Sequence, residues 1–289
     1  MKLGLGTVQF GLPYGISNTS GQVIPDEVRA ILDQAEACGI RVLDTAIAYG
    51  TSEAVIGVAL REKPHGSFRI VSKIPPGSTA TEIPDLVRAS LTRLGIPRAH
   101  GFLLHDVTTH RENPEVLSAL WGLVASGLIE KVGFSVYSPD DVEQLLLEQL
   151  HFNIIQLPYN IFDRRFERLL PALKERGVEV HVRSVFLQGL FFRDPATLPP
   201  HFDTIRPALA TLRSLAASAS LPLTALPLAF ALSQPLVDVV VIGVDSVANL
   251  RQNLNVAERL GDLSPLLPRL AALEQRDNNI LLPTRWKMS

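Results

Sequence analysis

Short apolar runs alternate with longer amphipathic stretches along this chain. The runs are LGLGT (3–7), RVLDT (41–45), RIVSK (69–73), GFLLH (101–105), KVGFS (131–135), NIIQL (153–157), EVHVRS (179–184) and VDVVVIGV (237–244). Their apolar character is nearly continuous, the pattern of parallel strands covered on both faces. Between them, segments such as PDEVRAILDQAEACG, IPDLVRASLTRLG, PEVLSALWGLVASG and RRFERLLPALKERG repeat apolar residues at helical spacing. Pro25 and Asp26 open the first helix, and Gly39, Gly95, Gly127 and Gly177 close four of them. Strand, helix, glycine, strand is the signature of a βαβ unit.

Eight strands in that alternation predict an α/β fold of the (β/α)8 TIM-barrel type, with parallel strands and one domain over residues 1–289. An open doubly wound sheet is the competing architecture. It usually carries GxGxxG after its first strand, and LGLGTVQFG lacks that spacing. The longest gap, before the eighth run, holds an extra helical segment, DTIRPALATLRSLAAS.

Composition narrows the picture. At 289 residues the chain is long enough for such a barrel, which typically needs about 250. Hydrophobic residues make up 46% and charged residues 19%, which excludes a disordered chain. A formal charge of −2 gives no footprint for nucleic acid or an anionic membrane. The sole cysteine, Cys38, precludes an intramolecular disulfide and reads as helix packing. No leader-like stretch and no run of 18 apolar residues is evident, so a cytoplasmic location is expected.

Three successive strands end in an ionisable residue: Asp44, Lys73 and His105. Tyr49 stands in the loop just past the second strand. A parallel barrel opens all its strand C-termini on one face, so these four groups should converge on one mouth. A lone Asp or His at a strand end is usually a cap or a solvated loop residue, but four complementary groups on adjacent strands are harder to dismiss. An unperturbed phenol, with a pKa of about 10, is a sluggish acid near neutrality. A nearby ammonium is expected to lower that value, with Asp44 holding Lys73 charged. His105 is placed to hydrogen-bond a substrate oxygen or help relay a proton. Such a site polarises a carbonyl and protonates its oxygen. It has no nucleophile with an obvious base and no metal-ligand spacing, so no metal is expected. A hydride, which side chains cannot provide, is the missing element, and a nicotinamide can supply it.

LDTAIAYGTSEAVIG resembles the signature of the aldo-keto reductase family through Asp44, Ala46, Tyr49 and Glu53, and RIVSKI and GFLLHD resemble the family's lysine and histidine strands. The resemblance implies a catalytic tetrad of Asp44, Tyr49, Lys73 and His105, with NADP(H), or alternatively NAD(H), as cofactor. It further implies carboxamide contacts from Ser135 and Gln156, although Val136 replaces the family's Asn. Arg183 stands where many relatives stack an aromatic on the nicotinamide. Ser184 and Leu187 would lie beside the pyrophosphate, and Gly243, Ser246, Asn249, Gln252 and Asn253 in the adenosine segment. The helix beginning near Ser246 would offer its first amides to phosphate.

Other residues carry less. Trp121, His151 and His181 read as packing. Phe191 and Phe192 are equally suited to the mouth or to a packed loop. Phe10, Tyr14 and Trp286 are candidates for substrate walls. The short tail NNILLPTRWKMS implies an open pocket. The expected activity is carbonyl–alcohol interconversion on a small molecule, and the N-terminal segment LGTVQFGLPYGISNTSG resembles bacterial relatives acting on sugars. A cofactor-binding sensor with little turnover, and a nicotinamide-independent barrel isomerase or lyase, remain as alternatives. Substrate, direction and oligomeric state stay open.

Overall fold

Eight parallel strands hydrogen-bond in sequence order and close on themselves: β1 (Leu3–Gly6), β2 (Val42–Asp44), β3 (Arg69–Ile74), β4 (Ala99–Leu104), β5 (Ile129–Ser135), β6 (Ile154–Pro158), β7 (Glu179–Arg183) and β8 (Val239–Gly243). The β1–β8 pairing, Leu3 with Val240 through Gly6 with Gly243, seals the barrel. The computed structural model describes residues 1–16, 18, 21–62 and 68–287. Ser17, Thr19 and Ser20 of the sugar-reductase-like segment, and Met288 and Ser289 of the tail, lie outside the described residues.

The helices fall where the amphipathic segments predict them. They include α1 (Pro25–Ala37), α2 (Ser52–Glu62), α3 (Ile83–Leu94), α4 (Glu115–Ala125), α5 (Pro139–Leu147), α6 (Leu170–Glu175), α7 (Arg206–Ser218), α8 (Ala225–Ser233) and α9 (Val247–Glu258). Gly39, Gly95, Gly127 and Gly177 all take positive φ after a helix. The extra segment before β8 forms α7. A one-turn helix, Val8–Gly11, was not anticipated, since four residues are too short to display a helical period.

Strand side chains alternate between the barrel interior and the helical shell. Val42, Val71, Leu103, Ile154, Val239 and Val241 form a small apolar cluster of their own, distinct from the large core between strands and helices. That cluster is the apolar part of the barrel's filling. Two positions further along their strands, the same inward period brings Asp44, Lys73, His105, Gln156 and Gly243 to the C-terminal mouth.

Glu53 lies at the start of α2, fully inside the protein. Its Oε1 accepts from Ser72 Oγ at 2.7 Å and Ser90 Oγ at 2.6 Å. Its Oε2 accepts from Arg93 Nε and Nη2 at 2.8 and 2.6 Å. One carboxylate therefore ties α2 to β3 and α3, so this signature residue is a brace of the scaffold beside the Tyr49 loop. Glu53→Ala would leave two hydroxyls and a half-buried guanidinium without their acceptor, at a cost of about 3 kcal/mol. Chemical denaturation should register that loss, and an unchanged midpoint would show that the brace is not structural.

Candidate active site

Lys73 Nζ donates to both carboxylate oxygens of Asp44 at 2.8 Å and to the Thr45 carbonyl at 3.0 Å. Lys73 is only 1% exposed and Asp44 4%. Gln156 Nε2 donates a further bond to Asp44 Oδ1 at 2.6 Å. Burial pulls the Lys73 ammonium down from its ordinary value, and Asp44 works against that shift. A buried ammonium whose three hydrogens all find acceptors is the arrangement in which such a pair can be tolerated.

Tyr49 sits directly over this pair, with Lys73 Nζ 5.1 Å from its ring centroid and the His105 ring edge-on at 5.9 Å. Its loop is held by close backbone approach. A Cβ on Gly11 would fall 1.9 Å from the Tyr49 carbonyl oxygen, and one on Gly50, at φ +55°, 2.5 Å from the Gly11 carbonyl. The two glycines let the Val8–Gly11 turn press against the Tyr49 loop, a contact no larger residue permits. Beneath it, Ser52 Oγ donates within a buried hydroxyl cluster with Thr7 and Thr45.

The phenol differs from its expected state. Burial, reinforced by the nearby Asp44 carboxylate, pushes the Tyr49 hydroxyl well above the usual tyrosine range. The Arg183 guanidinium opposes that rise. Burial, helped by the charges of Lys73 and Arg183, lowers His105 to about 4, so its imidazole is neutral near neutrality. The mouth thus presents a protonated phenol beside a neutral imidazole. Both are hydrogen-bond donors.

Asp44, Tyr49 and His105 line a cavity of about 360 Å³, within the range of small-molecule sites. It extends past Arg183 and Ser184 to Gly243, Asp245 and Asn249. Lys73 lies just beneath it. Of the other residues singled out from sequence, Ser135 and Leu187 are buried, Asn253 is buried with Oδ1 unpartnered, and Gln252 is exposed. Gln156 is one hydrogen bond removed from the cavity wall, through Asp44, and its Oε1 is buried with no partner. Ser246 caps α9 by accepting from Asn249 N–H, while Val247 N–H donates to Glu27 of α1 at 2.7 Å. Two of that helix's first amides are therefore already engaged.

Tyr14 and Phe192 reach the cavity wall. Phe10 and Phe191 are buried in the core instead, and Trp286 packs edge-on against Phe202 and donates to the Ile280 carbonyl. Trp121 stacks on His151 in the outer shell, and His181 is buried against Glu179. Sequence reasoning passed over Tyr137, whose ring carries the Arg183 guanidinium at 4.1 Å, and Gln188, which donates to the Tyr14 hydroxyl at 2.8 Å. Both come from loops without periodicity. Ser184, Leu187 and Gln188 all take positive φ in the loop after β7, and Asn160 Nδ2 pins the Ser184 carbonyl at 3.0 Å.

A family model described as the Aldo/keto reductase family matches residues 2–264, and the chain belongs to that family. It is accordingly an oxidoreductase. The solved structure of the aldo-keto reductase AKR11C1 from Bacillus halodurans, in its holo form, has a TM-score of 0.76 at 25% identity, over 96% of this chain and 95% of that one. D-threo-aldose 1-dehydrogenase from a Pseudomonas species is 26% identical over 291 residues, 85% of this chain and 88% of the relative. The uncharacterized oxidoreductase YqkF of Bacillus subtilis is 27% identical over 251 residues, 79% of this chain and 81% of the relative. No helix among the described residues is long and apolar enough to cross a membrane.

Replacing Lys73 by Met would keep most of the volume and strand Asp44 with Gln156 alone. A stability loss of roughly 3 kcal/mol is expected, and Asp44→Asn in the same chain should recover part of it. If Lys73→Met melts at the wild-type temperature, the pair is not holding the mouth together.

Proposed function

We propose that the protein interconverts carbonyl compounds and alcohols, in the direction of aldehyde or ketone reduction, with Tyr49 as proton donor and a nicotinamide dinucleotide as cofactor. The observation that carries this is a buried, charge-neutral Asp44–Lys73 pair directly beneath a protonated Tyr49, with neutral His105 beside it. The groups present fit such a cofactor. The cavity lining runs from Tyr49 to Asn249, and behind its wall the buried Gln156 Oε1 lacks a partner, an acceptor suited to a carboxamide N–H. Gln156 and Ser135 would hold the carboxamide, Ser184 the pyrophosphate, and Gly243, Ser246, Asn249 and Asn253 the adenosine end.

When bound, the nicotinamide supplies the hydride. The side chains do the rest. Tyr49 donates its phenolic proton to the carbonyl oxygen as negative charge develops there. His105, neutral, offers a second hydrogen bond to the same oxygen. The phenolate left behind faces the Lys73 ammonium, which holds it until a proton returns. In the alcohol-oxidising direction that phenolate is the base. Lys73 is poorly suited to form a Schiff base, because its amine is buried and all its hydrogens are engaged, which counts against an isomerase or lyase built on it.

Tyr49→Phe should lower kcat for carbonyl reduction by on the order of 10²-fold or more while leaving NADPH affinity, read by fluorescence quenching, nearly intact. The hydroxyl acts in the transition state and not in cofactor binding. Near-full activity of that variant would remove Tyr49 from the role. Tight cofactor binding by the wild type with no turnover across a carbonyl panel would favour the sensor.

The adenosine end bears on the choice of nicotinamide. Gly243, Val244 and Asn249 stand where relatives place groups that hold a 2′-phosphate, and Asp245 adds a negative charge. Arg251 is exposed and donates to Gln34 of α1, and Glu27 occupies the first amide of α9. With few cations for a phosphate, NADPH should bind with a preference over NADH of no more than about tenfold, or roughly 1.4 kcal/mol. Parallel titrations at fixed salt check this, and a preference of several hundredfold would mean the phosphate pocket lies elsewhere.

A further inference from the structure

Asn160 stands just past the end of β6 and is fully buried. Its Oδ1 accepts from the Phe162 and Asp163 N–H groups at 2.9 and 3.0 Å, and its own N–H donates to the Asp163 carbonyl at 3.2 Å. Those bonds close a turn, and they ask the side chain only for an acceptor, which Ser or Asp also supplies. The amide has a second use that those residues lack. Its Nδ2 donates at 3.0 Å to the carbonyl of Ser184, in the loop after β7.

Ser184 is strained. Its φ is +60°, in the left-handed region that residues other than Gly, Asn and Asp seldom enter. Two donors from consecutive residues hold it there. The Tyr159 N–H donates to the Arg183 carbonyl at 3.1 Å and Asn160 Nδ2 to the Ser184 carbonyl, so the peptide planes on both sides of the Ser184 Cα are tied to the end of β6. The Leu187 N–H takes a second position on the Ser184 carbonyl at 2.9 Å. This turn sends the chain over the mouth, where Ser184, Val185, Phe186 and Gln188 line the cavity.

The base of the clamp is firm. The Phe162 carbonyl accepts from Gln275 N–H at 2.9 Å, and the fully buried Asp163 carboxylate takes Arg165 Nε and Nη2 at 2.8 Å each. Arg165 Nη1 donates in turn to Asn278 Oδ1 at 2.7 Å. We infer that Asn160 is a positioning residue for the cofactor: its amide keeps Ser184 in the left-handed conformation in which the loop after β7 receives the dinucleotide. This rests on the nicotinamide reading above. A loop that is competent only part of the time binds with its affinity reduced by that fraction, and the Asn160 bond keeps the fraction high.

The test is a double-mutant cycle on the full chain, read by NADPH fluorescence quenching, with the melting temperature of the free protein and the split between kcat and KM as further readouts. Asn160→Ser keeps an acceptor for the turn but is too short to reach Ser184. It should raise the Kd for NADPH about tenfold, with the loss in turnover falling on KM for NADPH more than on kcat. Ser184→Gly removes the hydroxyl and the strain together. Within that chain, Asn160→Ser should cost no more than about threefold, because glycine takes positive φ without a clamp. An equal rise in Kd in both chains assigns Asn160 to its own turn and overturns the inference. A lowered melting temperature with unchanged Kd also overturns it, as does no change in either. If Asn160→Ser alone does not fold, recovery of folded protein in the Ser184→Gly chain supports the clamp, and failure in both chains overturns it. A wild type that binds neither NADPH nor NADH defeats the nicotinamide reading itself, and the inference falls with it.

Discussion

Lysine and aspartate meet at 2.8 Å inside the barrel, above an apolar cluster of valine, leucine and isoleucine. Neither charge could be held there alone. Together, with the Thr45 carbonyl and the Gln156 amide as additional partners, they form a neutral, fully hydrogen-bonded plug at the level where the barrel opens. The floor of the cavity is that plug. Tyr49 rests on it, and burial together with the Asp44 carboxylate keeps the phenol protonated.

The plug follows from strand periodicity. In β2, β3, β4 and β6, an apolar residue filling the barrel is followed two places later by a polar one: Val42 by Asp44, Val71 by Lys73, Leu103 by His105, Ile154 by Gln156. Period two carries each of these to the same inward face. On β7 the same period runs from His181 to Arg183, with no apolar residue at the lower position. The scaffold then needs only to hold these ends in register. Glu53 does so from the shell side, and the Gly11–Gly50 approach does so for the Tyr49 loop.

Electrostatically the mouth is asymmetric. The catalytic end holds a neutral pair, a neutral imidazole, a protonated phenol and one uncompensated guanidinium. The end formed by β8 and the start of α9 holds Asp245 and, behind it, Glu27. Positive charge therefore sits beside Tyr49 and His105, and negative charge at the β8 end of the cavity.

The order of the eight strands, the glycine-ended helices and the convergence of Asp44, Tyr49, Lys73 and His105 on one mouth were all legible in the residues, because each depends on a local period or on the one face that parallel strands share. The family was legible for the same reason, through a signature confined to one strand and loop. Other features only the tertiary structure decided. Phe10 and Trp286 look like mouth residues in the chain and turn out to pack in the core or against Phe202, since loop direction has no period to read. The protonation of Tyr49 depends on its burial and on its closeness to Asp44, geometric facts invisible in spacing. Tyr137 is brought against Arg183 only by the course of the loop after β5. Sequence fixes which groups share a face; charge compensation and side-chain partnership depend on contacts between segments far apart in the chain, and these exist only once the barrel closes.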